Sequence, residues 1–370
     1  MKTYFIVLIM IFSSNCFAKN PEQEKLNKAL NYYINGTSFN KPDMIKNAFY
    51  SEANLYLTRK DEDVWTVPSK EYVSWFTKKE YGSFTGRIGN IISSDINGNI
   101  ASAKIEIIYP KRKLKYIDLL LLKKVAGEWK IISKTASSEK SNKNGERILF
   151  VVSNADKYGE STLNTGNSYS ELVNAYDTFI KGGYSVDFVS PEGGAIPLAY
   201  INTSHELFKE YLYNNDFMSA IGNTMNPSQV IPKNYRAIHY IGGGSAMFGI
   251  ADNTQIQNIA MSIYEDNNGL ISSVCHGTAG IVNLKTKDGQ YLVSGKKISG
   301  YPDSYENPDK AYFKHFPFLI QKTIESRSGI FEFGPRNTPF IKVDGRVITG
   351  QNYLSSAPIA EKMIEILGQL

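Results

Sequence analysis

Cysteine is scarce in this chain, with two in 370 residues, and histidine is nearly so, with four. No Cys or His cluster stands at metal-ligand spacing, so no zinc site and no other metal is expected. Charge of one sign is also lacking. Lys and Arg total 41 against 36 Asp and Glu, a net charge of +5. That surplus is too small for a dedicated nucleic-acid binder. Beyond the first residues there is no long apolar run, and the longest, Leu119 to Leu122, is strand-sized, so no membrane helix is expected there. What is present, 42% hydrophobic and 21% charged residues, excludes a disordered or collagen-like polymer. At roughly 100 to 200 residues per domain the length favours two domains.

Residues 1–18 have the build of a secretory signal. Lys2 opens it, Tyr4 to Phe12 form a short apolar stretch, and Cys16-Phe17-Ala18 ends on a small residue. A periplasmic or secreted chain follows as the expectation. The rival is a lipid anchor on Cys16, but Ser13-Ser14-Asn15 lacks the apolar residue expected three places earlier. Cleavage after Ala18 would leave Cys275 as the lone thiol, with no internal disulfide. In an oxidising compartment such a thiol must be buried or used.

The stretch from Ser133 to Glu146 is polar and rich in Ser, Lys and Asn, and reads as a linker, placed at residues 139–146. It separates a first domain, residues 19–138, holding Trp65, Trp75 and Trp129, from a second, residues 147–370, holding Cys275 and every His. In the first, Leu26, Leu30, Tyr33 and Ile34 form a helical stripe, a short helix follows Pro42, and a third covers Lys70 to Phe76. The period then falls to two through Ala101, Ala103, Ile105 and Ile107, and a hairpin turns at Ala126-Gly127. This is an α+β domain. Residues 20 to 138, with the closing strand Gly127-Glu128-Trp129-Lys130-Ile131, resemble the cone-shaped SnoaL-like (nuclear-transport-factor-two-like) fold. The resemblance implies a small-molecule pocket and no defined catalytic residue. Asp61, Glu62 and Asp63 read as a solvated loop, Lys111-Arg112-Lys113 as a turn cap rather than a polyanion site, and Trp65 and Trp75 as core residues before pocket residues.

The second domain alternates apolar strands with amphipathic helices. Strands are expected at Arg147 to Asn154, Tyr184 to Ser190, Ala237 to Ile241, Leu270 to Val274 and Arg346 to Gly350, with helices at Glu171 to Gly182 and Ile256 to Tyr264. This is the grammar of an α/β parallel sheet covered on both faces, whose chemistry gathers at the strands' carboxyl ends. One strand runs into Gly242-Gly243-Gly244-Ser245, whose backbone N–H groups can receive a negative oxygen. Another runs into Cys275-His276-Gly277-Thr278-Ala279-Gly280, an elbow where a helix start is expected to lower the thiol pKa. A buried inert Cys and an ordinary glycine turn are the bland readings. Both motifs at neighbouring strand ends favour a reactive thiol, with Gly243, Gly244 and the His276 amide as the oxyanion group. His239 reads as a packed core histidine.

Ser273-Val274-Cys275-His276-Gly277, Ile241-Gly242-Gly243-Gly244-Ser245-Ala246-Met247-Phe248, Phe188-Val189-Ser190-Pro191-Glu192-Gly193-Gly194 and Val347-Ile348-Thr349-Gly350-Gln351-Asn352 together resemble the ThiJ/PfpI superfamily. Its fold is flavodoxin-like, of the glutamine-amidotransferase type, and the similarity is greatest to the branch of heat-shock chaperones and glutathione-independent glyoxalases. The resemblance implies a triad of Cys275, His276 and Glu306, with Glu171 directed at the sulfur as a proton carrier. Two departures stand out. Gly244 occupies a position where many members have His, and Leu198-Ala199 replaces an acidic residue after Pro197. The expected activity is cysteine-dependent conversion of a 2-oxoaldehyde to a hydroxy acid, or hydrolysis of an amide or ester through a thiol adduct, without an organic cofactor. Expected partners are a small carbonyl or amide substrate and a second copy in a homodimer, with no nucleic acid and no membrane after cleavage. The rival class is a periplasmic holdase, or small-ligand binder, with unfolded-protein clients and a redox-sensitive, non-catalytic cysteine.

Overall fold

The computed structural model describes residues 21–370, so the expected signal segment, with Cys16, lies outside the described residues. The chain opens with α1 (Pro21–Ser38) and α2 (Pro42–Ala48). Glu22 and Glu24 in the first turn of α1 suit the positive end of the helix dipole. Leu26, Leu30 and Tyr33, spaced by four and three residues, are fully buried on one stripe. At Gly36 a Cβ would lie 2.6 Å from Ile45 Cγ1, so glycine lets the two helices meet.

The first sheet follows: β1 (Phe49–Arg59), β2 (Glu62–Pro68), α3 (Ser69–Ser74), β3 (Ile88–Asn97), β4 (Ile100–Tyr109), β5 (Leu114–Val125) and β6 (Glu128–Lys140). Its order is β2-β1-β6-β5-β4-β3, antiparallel throughout except for the β1–β6 pair. Along β5, Leu120 and Leu122 are buried while Leu119 and Leu121 face outward, as a half-covered sheet requires. A buried ion pair fastens the covered face. Lys134 Nζ lies 2.6 Å from Asp118 Oδ1, and the Tyr33 hydroxyl donates to Asp118 Oδ2 at 2.5 Å.

β6 overturns part of the linker expectation. Its pairing with β5 runs to Leu114↔Lys140, so residues from Ser133 through Lys140 are strand. Polarity misled here because much of that strand is exposed. The Asp61 to Asp63 stretch lies at the β1–β2 turn, where Glu62 pairs with Arg59 at 2.6 Å. Lys111, Arg112 and Lys113 form the turn between β4 and β5, with Arg112 over the Tyr109 ring. Trp65 and Trp75 stack at 5.6 Å, and Trp75 is 40% exposed.

The second sheet draws on β7 (Arg147–Val151), then β8 (Asn167–Ser168), α4 (Tyr169–Lys181), β9 (Ser185–Val189), β10 (Leu198–Ala199), α5 (Glu206–Leu212) and α6 (Asn215–Gly222). It continues with β11 (Ala237–Tyr240), α7 (Thr254–Met261), β12 (Leu270–Val274), β13 (Lys297–Ile298), α8 (Ile320–Ser326), β14 (Ile330–Phe331), β15 (Ile341–Asp344), β16 (Val347–Gly350) and α9 (Ser356–Leu367). The order is β15-β16-β12-β11-β7-β9, parallel except at the β15 edge, while β8 pairs with β10 and β13 with β14 outside it. Alternate residues feed two cores. Ile148 and Phe150 join α4 and α9 on one face, and Leu149 and Val151 join α7 and α8 on the other. This is the doubly covered flavodoxin-like arrangement, preceded by the α+β cone.

His239 sits inside β11 with no exposed surface, its Nδ1 3.0 Å from Ser272 Oγ. Burial pushes its pKa down to about 3. The native state therefore binds fewer protons than an unfolded chain, whose His titrates near 6.5, and stability is lost as pH falls from about 6.5 to about 3. The wild-type Tm should fall more steeply over that window than the Tm of His239→Gln. Parallel profiles from thermal melts would show that His239 does not set the acid limb.

Candidate functional site

Parallel pairing puts Tyr240 opposite Ser273, and two residues further along each strand Gly242 comes to face Cys275. Cys275 leaves β12 with φ +54°, a left-handed conformation that costs a non-glycine residue about 1–3 kcal/mol. The turn then tightens into a short 3₁₀ segment, Cys275–Ile281. Gly300 permits one neighbour to close on it, since a Cβ there would lie 2.8 Å from Thr278.

Glu171 enters from the first turn of α4 and is 2% exposed. The Gly242 N–H donates to its Oε2 at 2.9 Å, and the carboxyl is hydrogen-bonded to the Cys275 thiol. On the other side of the sulfur, His276 Nδ1 lies 3.5 Å from Sγ, and His276 Nε2 lies 2.7 Å from Glu306 Oε1. The Tyr312 hydroxyl donates to Glu306 Oε2 at 3.4 Å. Tyr301 stacks on the imidazole at 4.5 Å between ring centres, and Phe316 lies at 5.6 Å. The ring is thereby held in one orientation.

The four expected residues, Cys275, His276, Glu306 and Glu171, are thus in mutual contact through the sulfur and the imidazole. Of the expected oxyanion donors, the His276 amide donates to the sulfur. Gly243 and Gly244 stand beside it but pack toward the 158–168 segment. At Gly243, which has φ +101°, a Cβ would collide with the Gly166 carbonyl, and at Gly244 it would lie 2.5 Å from both the Tyr158 hydroxyl and Thr165 Oγ1. The glycine in closest touch with the chemistry is Gly242, where a Cβ would lie 2.5 Å from Glu171 Oε2 and 3.0 Å from Cys275 Cβ. Its role, and the tyrosines around the site, gave no signal in a sequence with 24 Tyr.

The electrostatics correct one expectation. Burial first, and then the Glu171 charge, push the Cys275 thiol well above its ordinary value instead of lowering it. The turn after Cys275 is 3₁₀ and short, and its dipole does not outweigh a buried carboxylate. Burial likewise pushes Glu171 up to about 7, against the hydrogen bond from Cys275. Thiol and carboxyl therefore titrate as a pair that sheds its first proton near neutrality and keeps the second. Among the described residues no group of His, Cys, Asp and Glu could hold a metal ion. His205 stacks on Phe208, and His315 lies in a turn. Cys275 retains 7% exposure. Two cavities of about 430 Å³, one lined by Asp252 and Lys285 and one by His205 and Tyr353, do not include it.

The second sheet and its site have well-defined relatives. The probable glutathione-independent glyoxalase HSP32 of Saccharomyces cerevisiae is 31% identical over 60% of this chain and 97% of its own length. The chain belongs to the ThiJ/PfpI family. Within that family it is also 27% identical to the glutathione-independent glyoxalase hsp3102 of Schizosaccharomyces pombe, over 60% of this chain and 98% of that one. The crystal structure of glyoxalase III from Candida albicans superposes with a TM-score of 0.54 at 26% identity, covering 60% of this chain and 96% of that one. The first sheet is similar to a different family, described as putative lumazine-binding, which matches residues 21–137.

Gly242→Ala tests the packing of this family site. The new methyl must displace Glu171 or Cys275, which costs on the order of 1–3 kcal/mol and separates carboxyl from thiol. Thermal melts should show a lowered Tm, and alkylation of Cys275 a changed pH dependence. An alanine variant matching wild type in both would show that the two groups do not need this close approach.

Proposed function

We propose that this chain is an exported thiol enzyme that converts 2-oxoaldehydes such as methylglyoxal to 2-hydroxy acids through an adduct on Cys275. One observation carries the reading. The Cys275 thiol donates a hydrogen bond on one side to a carboxyl pushed up to about 7 and lies on the other 3.5 Å from an imidazole, itself anchored to a second carboxylate. The glyoxalase names of the family relatives support it. The exported location rests on the character of residues 1–18.

The chemistry follows from proton positions. Ionised Glu171 takes the thiol proton as sulfur bonds to the aldehyde carbon, and the His276 amide lies beside the oxygen that gains charge. The hemithioacetal C–H proton then passes, by way of Glu171 or His276, to the neighbouring carbon. That shift leaves a thioester of the hydroxy acid. Water hydrolyses the thioester and restores the thiol, so no oxidant or reductant is consumed. Glu306 fixes the imidazole and stabilises its protonated form.

Turnover of methylglyoxal to lactate by the wild type, lost in Cys275→Ser, is the direct test. Because Glu171 must be ionised to accept the first proton, kcat/KM should rise with pH through about 7. Glu171→Gln should remove that limb and lower kcat by about 100-fold or more. Equal silence of wild type and Cys275→Ser would refute the reading.

A further inference from the structure

Among the described residues, Tyr200 is the one near the thiol whose backbone is strained without serving the elbow. Its φ is +59°, where a bulky side chain is an outlier, and yet 67% of its surface is exposed. Strain of this kind persists only where the surroundings impose it, and here they do. The short β8–β10 ladder pairs Ala199 with Ser168, three residues before Glu171, and carries the next residue, Tyr200, to the edge of the site. At Gly166 a Cβ would lie 2.8 Å from the Leu198 carbonyl carbon, so the ladder closes only on glycine.

The Tyr200 hydroxyl donates to Tyr158 and lies within electrostatic reach of the Cys275 sulfur. Tyr158 is fixed in turn. It stacks on Tyr312 at 5.2 Å and packs against Phe248 and Phe316, and Tyr312 donates to Glu306. Tyr158 also fills the space into which a side chain at Gly244 would project. The polar group that the glycine loop lacks is thus replaced in space by a phenol, Tyr158, from the connection between β7 and β8, and Tyr200 meets it from the connection after β10. Phenols keep their protons at neutral pH and can donate.

We propose that the Tyr200 hydroxyl, which donates to Tyr158 in the free protein, turns its one proton to the ketone oxygen of the 2-oxoaldehyde adduct on Cys275. This rests on the reading above and adds the residue that recognises the second carbonyl. When the hemithioacetal C–H proton leaves, its electron pair forms the bond to the ketone carbon and the ketone π electrons move onto oxygen. That oxygen is where negative charge develops, and a fixed donor there stabilises the transition state. The C=C pair then takes a proton at the former ketone carbon as the hemithioacetal hydroxyl gives up its own proton to become the thioester carbonyl, and the former ketone oxygen takes a proton to end as the hydroxyl of the hydroxy acid. A simple aldehyde has no such oxygen and can only add to the thiol reversibly.

The test uses the full mature chain and methylglyoxal, with Cys275→Ser as the reference for background. Tyr200→Phe removes only the hydroxyl and should lower kcat/KM on the order of 100-fold, while the rate of Cys275 alkylation by iodoacetamide stays at the wild-type value. Tyr200→Gly, which relaxes the left-handed backbone, should be as slow as Tyr200→Phe with a Tm no lower than wild type. If wild type is active and Tyr200→Phe matches it, the assignment of Tyr200 falls and the thiol mechanism stands. Parallel losses of turnover and alkylation would mean that Tyr200 serves the thiol and not the substrate, which also overturns it. Wild type no faster than Cys275→Ser would remove both.

Discussion

The site depends on one backbone constraint, the left-handed turn at Cys275. At φ +54° the chain cannot continue as strand, and the side chain is delivered to the rim of the sheet, at the edge of the core that α4 and α9 cover. Everything around it is arranged to accept that turn. Gly242 allows close approach from the neighbouring strand, and Gly300 closes over the segment that follows. The strain of about 1–3 kcal/mol is offset by the cores on both sheet faces, which over-determine the course of β11 and β12.

That turn also sets the electrostatics. A thiol delivered to Glu171 in a buried site shares a proton with it, because two adjacent buried anions are costly. The result is a sulfur held as its thiol beside a carboxyl group, rather than as a free thiolate. Such storage protects the sulfur, since the thiol form resists oxidation better than the thiolate. His276, wedged between Tyr301 and Phe316 and tied to Glu306, has its ring orientation fixed beside the sulfur.

Much of this was legible in the residues. The strands of the parallel sheet announced themselves as apolar runs, and the elbow and glycine loop stood at their ends. Glu171 and Glu306, far apart in sequence, were reached only through family resemblance, because no local pattern links them to Cys275. β1, β2 and β3 escaped notice because their burial patterns are irregular and do not alternate cleanly. The polar tail of β6 was hidden by its exposure. The thiol pKa cannot be read from a helix start alone, because folding brings the Glu171 carboxyl against the sulfur. Tyr158 and Tyr200 were invisible for a related reason. Their placement depends on the β8–β10 ladder, two residues long on each side, which no periodicity can reveal.

The shared proton is the claim on which the account turns. The pH dependence of iodoacetamide alkylation, measured on a chain lacking Cys16 so that Cys275 is the sole thiol, reads it directly. Neutralising the carboxylate in Glu171→Gln should lower the apparent thiol pKa and speed alkylation at neutral pH. A profile that superimposes on the wild type, or shifts upward, would contradict it.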